Sequence, residues 1–182
     1  CLRHQTPARQ TGADRKREPE RCPLVARPRL HDAPVADVLE RLKDPEDWTR
    51  HFAKRVLAER GPKEVLPALT AWTAAATDEH ALLEALWAHQ SLDVVEAALL
   101  KRVLASKDAN ARAAAVRVTG RWRARLPNPL ALLEQSIADE SPRVRLETVR
   151  ALAGIPDERA VEVAMRAIDR PTIDHRGPEF AE

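Results

Sequence analysis

The most regularly spaced residues with chemical potential are arginines that recur in pairs five residues apart. These pairs are Arg50 and Arg55, Arg112 and Arg117, and Arg145 and Arg150. An arginine fork recognises carboxylates and phosphates through several fixed donors. Five residues of helix turn through about 500°, so the members of a pair diverge by about 140°. We expect the first arginine of each pair to bond to an acidic turn nearby and the second to be solvated, and the six define a candidate interaction surface.

Charge is distributed unevenly along the 182-residue chain, whose net charge is only +2. Residues 1–31 hold eight Lys and Arg against three Asp and Glu, so the rest is slightly acidic. Binding to a nucleic-acid backbone needs a continuous basic surface, and nucleic acid is therefore disfavoured as a partner. The acidic residues that interrupt such a surface are Glu79, Glu84, Asp93 and Glu96. A nucleic-acid or acidic-protein module would be favoured if four further arginines joined the candidate surface in one patch: Arg102, Arg121, Arg123 and Arg125.

Histidine, cysteine and serine show no arrangement typical of catalysis or metal binding. His80 has a carboxylate, Glu84, four residues away on one helical face, but two ligands do not make a site. Cys1 and Cys22 lie outside any CxxC or Cys/His cluster, and no serine occurs in a GxSxG context. The five glycines form no phosphate-binding loop. We predict no catalytic residue, no metal site and no cofactor.

From Pro34 onward, apolar residues recur at spacings of three and four, which is typical of amphipathic helices. Turn signals such as Gly61-Pro62 and Ser141-Pro142 interrupt the pattern. The sequence therefore predicts an all-α chain of helical hairpins, near residues 34–61, 62–90, 92–124 and 128–155, with a fifth from Glu158 to about Ile168. Four tryptophans beside Leu and Ala are expected to fill the core, a binding groove being the alternative; they are Trp48, Trp72, Trp87 and Trp122.

The helical pattern also repeats with a shift of 33 residues. Arg112 superimposes on Arg145, and earlier copies begin at Arg50 and, with reversed charges, at Glu79. Acidic or polar turns precede the basic copies, and a side-chain oxygen from each turn, Ser141 included, is expected to cap the following helix. Repeats of this length stack as an α-solenoid in which each pair contacts mainly its neighbours.

The stretch from Asp139 to Leu152, DESPRVRLETVRAL, resembles the second half of a HEAT repeat, with its polar turn, Val-Arg pair and Ala-Leu close. A wider run over residues 55–61, 82–90 and 113–118 resembles the HEAT-repeat region of large planctomycete-type membrane-bound dehydrogenases. That resemblance implies a sorbosone-dehydrogenase-like β-propeller before the repeats, a c-type cytochrome after them, and an exported or periplasmic location. No oxidoreductase or haem residue is carried over onto this chain.

We predict a right-handed α-solenoid of HEAT-like hairpins over residues 34–169. A disordered, basic, proline-containing linker at 1–33 precedes it and an irregular tail at 170–182 follows. Because the chain begins with Cys1, we expect it to be a fragment. Its predicted function is a non-catalytic scaffold that spaces or docks protein domains of the same or another chain, without a membrane span. The alternatives are a nucleic-acid-binding or DNA-repair-like HEAT module and a HEAT-like lyase.

The repeat template further predicts which side of the second helix in the fourth hairpin faces the interior. It places Leu146 and Val149 on that side, alongside Leu152. A Glu147 more buried than Val149 would contradict both this register and the alignment of the repeats. Because the last hairpin lacks a partner helix, we also expect an exposed apolar end there.

Overall fold

A computed structural model describes residues 29–168. This part of the chain contains nine α-helices, a short 3-10 turn at Arg41–Lys43 and no strand, as the sequence predicts. The helices are α1 Val35–Glu40, α2 Asp47–Arg60, α3 Pro62–Ala75, α4 Glu79–Ser91, α5 Ala97–Leu104, α6 Ala109–Trp122, α7 Pro129–Ser136, α8 Pro142–Leu152 and α9 Glu158–Met165. Residues 1–28 of the predicted linker and the predicted tail lie outside the described residues. The prediction of disorder was wrong for residues 29–33, because Leu30 is buried in the core at 3% exposed and Arg60 bonds the backbone carbonyls of this stretch.

The helices form four pairs in chain order: α1 packs on α2, α3 on α4, α5 on α6 and α7 on α8. Helix α9 begins a fifth pair. Successive second helices pack against each other: α2 on α4, α4 on α6 and α6 on α8. Each pair thus contacts the pairs before and after it, which is the architecture of an α-solenoid. The predicted all-α solenoid is confirmed.

Side-chain caps start several of these helices, although not all of those expected. Asp108 accepts a hydrogen bond from the Asn110 N–H at 2.9 Å, as predicted for the turn before α6. Ser141 stands at the N-cap of α8 but its side chain makes no capping bond, so that prediction was wrong. The carboxylate of Asp139 instead accepts the Ser141 N–H at 2.8 Å, because an Asp two residues earlier reaches that donor in a local turn.

The core is divided between two groups of side chains along the stack. The first group runs from Leu30 to Leu126 through the first three pairs, and the second joins α6 to α9 around Val116 and Leu133. Trp122 lies in the first group and is only 1% exposed. Trp72 and Trp87 are half-buried against the same group, so three of the four tryptophans behave as expected.

Trp48 departs from this expectation, since it is 55% exposed at the start of α2. Its ring stacks on that of Phe52 with centroids 5.2 Å apart. Phe52 is itself half-buried against the first core group, so Trp48 contacts the edge of the core through Phe52 and stays largely exposed.

The predicted register of α8 was wrong. Leu146 is exposed, Val149 is half-buried and Glu147 is more buried than either, at 6% exposed. The physical reason lies in the stack: the residues 33 positions earlier, Ala113 and Val116, are buried in the core group that α6 shares with α8. The corresponding side of α8 faces away from α6, and within residues 29–168 no second helix follows to cover it. The 33-residue alignment itself reappears in the hydrogen bonds described below.

Close packing between α6 and α8 depends on Gly120. A Cβ at this position would lie 3.0 Å from the Cβ and 3.3 Å from the Cα of Ala151, which belongs to the facing helix and cannot rotate away. We expect Gly120→Val to lower the free energy of unfolding by about 1–3 kcal/mol, measured by urea titration of the helical circular dichroism signal.

Gly154→Val is the matched control for Gly120→Val. A Cβ there would meet the end of the Arg123 side chain, Nε at 3.2 Å, which is able to move aside. Equal destabilisation by the two substitutions would contradict the close approach of the helices.

Candidate functional site

The first arginine of each pair binds the turn that precedes its own helix. In all three, Nη1 donates to the backbone carbonyls five and six residues earlier in the chain. The two Nη1–oxygen distances are 2.7 and 2.9 Å for Arg50, 2.9 and 3.0 Å for Arg112, and 3.0 and 2.9 Å for Arg145. We call these three residues the arginine ladder. The predicted bond between first arginine and turn is confirmed.

Two members of the arginine ladder also reach the next pair of helices. Arg112 grips Asp139 with two bonds, Nε to Oδ2 at 2.7 Å and Nη2 to Oδ1 at 2.9 Å. Arg50 Nε donates to Glu84 at 3.1 Å, and Lys54 Nζ donates to the other oxygen of the same carboxylate at 2.5 Å. The Glu84 side chain is 1% exposed, and this pairing offsets the cost of burying its charge.

The electrostatics of Asp139 reflect two opposing effects. Burial alone would raise its pKa, but the bonds from Arg112 and the Ser141 N–H together hold the pKa below its ordinary value. The bond to Asp139 correspondingly raises the pKa of Arg112. Both side chains therefore stay charged, and the link between the third and fourth pairs is ionic.

Glu79, which occupies the ladder position with reversed charge, holds a turn from the opposite side. Its carboxylate accepts from Ser106 Oγ at 2.5 Å and from the N–H groups of Lys107 and Asp108 at 3.0 and 3.1 Å. The Ser106 hydroxyl, followed by those two N–H groups, lowers the pKa of Glu79. The turn at 106–108 thus has its carbonyls bound by Arg112 and its N–H groups bound by Glu79.

The second arginines lie on the surface, but they are not all simply solvated. The side chains of Arg55, Arg117 and Arg150 are 69%, 63% and 66% exposed. Arg117 Nη2 donates to Glu147 Oε1 at 2.8 Å, and Arg150 Nη1 donates to the same oxygen at 3.3 Å. The bond from Arg117 outweighs burial and lowers the pKa of Glu147. Glu147 therefore carries a charge that holds two arginines side by side.

Three of the four further arginines join two of the second arginines, Arg117 and Arg150, in one groove of about 530 Å³. It lies on α6, α8 and the loops after them, with Asp93 from the loop after α4. We call this the arginine groove. Arg102 lies on α5 and does not line it. The charged residues of the groove are Arg117, Arg121, Arg123, Arg125 and Arg150, with Asp93 and Glu147.

A second depression of about 450 Å³ continues the arginine groove toward the first pairs. The two share Arg121, and the second adds Trp87, Gln90 and Ser91 from α4 and Lys54 from α2. Lys54 Nζ lies 4.8 Å from the centroid of the Trp87 ring, within the range of a cation–π contact. The combined surface presents cations, one aromatic face and neutral hydrogen-bonding groups.

The six candidate arginines thus divide into two groups with different roles. The ladder arginines bond to groups within the chain and are largely buried: Arg50, Arg112 and Arg145. By contrast, Arg117 and Arg150 line the groove. Arg55 lies elsewhere and bonds to Glu59 at 3.0 Å. That the six form an interaction surface stays a prediction. Sequence reasoning missed Lys54 and Gln90, which line the second depression. Nothing in their spacing along the sequence indicates that α2 and α4 lie beside α6.

Titratable groups outside the groove offer no further site within residues 29–168. His80 Nε2 lies 3.8 Å from Glu84, but Arg50 and Lys54 already bind that carboxylate. No group of three His, Cys, Asp or Glu in this part of the chain is placed to hold a metal ion. His89 is buried, its Nδ1 lacks a partner there, and burial lowers its pKa.

The fold and its repeated turns define the class of protein, an α-solenoid built from helical hairpins. The family described as HEAT repeats matches residues 96–176, somewhat less than half of the chain, and this match supports a HEAT-repeat segment there. Searches of curated proteins and of solved structures found no match. No helix among the described residues is long and apolar enough to cross a membrane. HEAT repeats generally serve as scaffolds for protein interactions, because stacked repeats present extended surfaces.

Arg145 and Arg150 provide a matched pair on one helix for testing the ladder. Arg145 is 7% exposed and bonds two turn carbonyls. Both bonds come from Nη1, and the lysine ammonium ends one bond short of that atom, so we expect Arg145→Lys to lower the free energy of unfolding by about 1–3 kcal/mol. Arg150→Lys should change it by less than about 0.5 kcal/mol, since its side chain is exposed. Chemical denaturation measures both, and equal effects would contradict a structural role for the turn bonds.

Proposed function

We propose that this chain is a non-catalytic HEAT-repeat scaffold that docks a helical element of another protein domain, in the same or another chain. The observation that carries the proposal is the exposure of large apolar side chains on the last two described helices. Leu146 is 53% exposed on α8, and Val161, Met165 and Ile168, on and after α9, are 63%, 57% and 72% exposed. The last three are spaced by four and three residues and so lie along one side of α9, and neighbouring exposed apolar side chains are typical of interaction sites.

The repeat identifies the kind of element that would cover α8. Leu146 and Val149 are the counterparts of Ala113 and Val116, which α6 buries in the core group it shares with α8. A helix that packed against α8 as α8 packs against α6 would cover Leu146 and Val149. The proposed partner is therefore a second helix that continues the stack.

Arg150 supports the same geometry for the incoming helix. Its counterpart 33 residues earlier, Arg117, pairs across the helix interface with Glu147 of α8 at 2.8 Å. Arg150 bonds only within its own helix, to Glu147, among the described residues. A carboxylate on the incoming helix, at the place of Glu147, would complete the equivalent pair.

The resemblance to planctomycete-type dehydrogenases supports a finer proposal about the partners. In such a protein the scaffold would hold a β-propeller oxidoreductase domain and a c-type cytochrome at a fixed separation. The chain would then supply spacing and docking surfaces, and its partners would supply the redox chemistry. The comparisons with known proteins add nothing to this finer proposal.

A chain extended by one second helix tests the docking surface directly. Residues 1–168 followed by a copy of residues 139–155 would present an α8-like helix to the exposed side of α8. Burying one leucine contributes about 1.5–3 kcal/mol, so we expect a thermal midpoint higher by about 4–10 °C than that of the natural chain. Circular dichroism measures the midpoint, and an unchanged midpoint would contradict the proposal.

Leu146→Glu is the control substitution in both backgrounds. It should abolish the gain in the extended chain and leave the midpoint of the natural chain nearly unchanged, because Leu146 is already exposed there. Equal losses in the two backgrounds would show that Leu146 contributes to the existing core. Light scattering of the natural chain distinguishes the alternative occupant, a second copy, which would appear as a dimer that Leu146→Glu dissociates.

A further inference from the structure

We propose that the arginine groove binds an extended acidic peptide segment of a partner protein, with its carboxylates on Arg121 and Arg150. This deepens the proposed scaffold function and rests on it in one respect, that the chain docks protein partners. The groove lies between α6 and α8 and shares Arg150 with the position proposed for the incoming helix, whereas the exposed Leu146 does not line it.

Charge gives the first reason for an acidic ligand. Five arginines line the groove against two carboxylates, so the local balance is strongly positive although the whole chain carries only +2. A groove lined by one sign of charge raises the local concentration of ligands of the opposite sign. The repeat region as a whole lacks this excess, which makes the groove distinct from the surrounding surface.

Unused donors give the second reason. Arg121 makes no side-chain hydrogen bond or ion pair among residues 29–168, and Arg150 uses only Nη1, which leaves Nε and Nη2. Arg117 uses Nε and Nη2 toward Glu147 and keeps Nη1. Guanidinium groups with donors to spare bind carboxylates through two parallel bonds. The groove therefore offers at least two positions for a carboxylate.

The side chains around these donors are already held in place. The buried Glu147 side chain orients Arg117 and Arg150 by bonding to both. Arg125 donates to the carbonyl of Asp93 at 2.9 Å and to its carboxylate at 2.6 Å. These bonds also secure Asp93 in a left-handed conformation with φ of 56°, which non-glycine residues seldom adopt. Ordering before binding reduces the entropy that a ligand must overcome.

The distribution of groups favours a peptide over a nucleic acid. Asp93 is 81% exposed at the rim and would repel an unbroken line of phosphates. An extended peptide can alternate acidic and neutral side chains, so it can place a neutral residue beside Asp93. Beyond Arg121, Gln90 and Ser91 can bond to peptide groups and Trp87 can receive an apolar side chain. The surface thus matches acidic residues at one end of a peptide and an apolar residue at the other.

Fluorescence polarisation tests the proposal with the full natural chain. The probe is a fluorescein-labelled peptide of about ten residues that alternates Glu and Ala and ends in Leu-Leu, compared with the same peptide carrying Gln for Glu. We expect the Glu peptide to bind at least about tenfold more tightly than the Gln peptide, and its affinity to fall as salt is raised. Equal affinities for the two peptides would overturn the proposal.

Two double variants separate the groove from net charge. Arg121→Gln with Arg150→Gln should weaken binding of the Glu peptide about tenfold or more, whereas Arg55→Gln with Arg102→Gln should leave it within about twofold. Both variants remove two positive charges, and circular dichroism verifies that each remains folded. Equal weakening by both would overturn the groove assignment, as would tighter binding of an oligothymidine of similar length than of the Glu peptide.

Leu146→Gln distinguishes this proposal from the docking of a helix on α8, since it removes the apolar side chain without placing a carboxylate four residues before Arg150. The variant should bind the Glu peptide as the natural chain does, because Leu146 does not line the groove. If the extended chain gains no stability but the Glu peptide still binds the groove, the helix-docking proposal fails and the groove proposal stands. Loss of peptide binding in a folded Leu146→Gln variant would show that the groove is not the peptide site.

Discussion

The stack depends on satisfying the backbone carbonyls of the turns that join the two helices of each pair. Those carbonyls lie where one repeat packs against the next. A backbone carbonyl that is removed from water and has no hydrogen-bond partner destabilises the fold. In three of the four pairs one guanidinium nitrogen, Nη1 of Arg50, Arg112 or Arg145, bonds two carbonyls of the turn. Because the same fork reaches Glu84 from Arg50 and Asp139 from Arg112, satisfying a turn also ties one pair to the next.

The five-residue spacing between arginines follows from this arrangement. The first arginine points toward the turn, and helix geometry then sends the second about 140° away, onto the exposed side of the second helices. Arg117 and Arg150 reach the groove in this way, where Glu147 holds them together. One helical pattern thus places a structural cation and a surface cation in three of the four repeats, and Glu79 replaces the structural cation in the second. The fold and its candidate binding surface share a single origin.

Most of the fold could be predicted from the sequence, because helix spacing and the 33-residue repeat are local signals. The bond between Arg112 and its turn was likewise implied by an acidic turn at constant distance. The burial of Leu146 could not be predicted in the same way, since it depends on whether another helix follows α8. The arginines of the groove could be singled out from the sequence, but the approach of Arg121 to Trp87 could not, because the two meet only after α4 and α6 pack together.

A double-mutant cycle between Arg112 and Asp139 tests most directly whether the arginine ladder holds the pairs together. Arg112→Ala, Asp139→Ala and the double variant are compared by chemical denaturation, with Arg55 and Glu59 as an exposed control pair. The side chains of Arg112 and Asp139 are each 13% exposed, so we predict a coupling energy of about 1–3 kcal/mol, against less than about 0.5 kcal/mol for the control. A coupling for Arg112 and Asp139 no larger than that of the control would contradict the account.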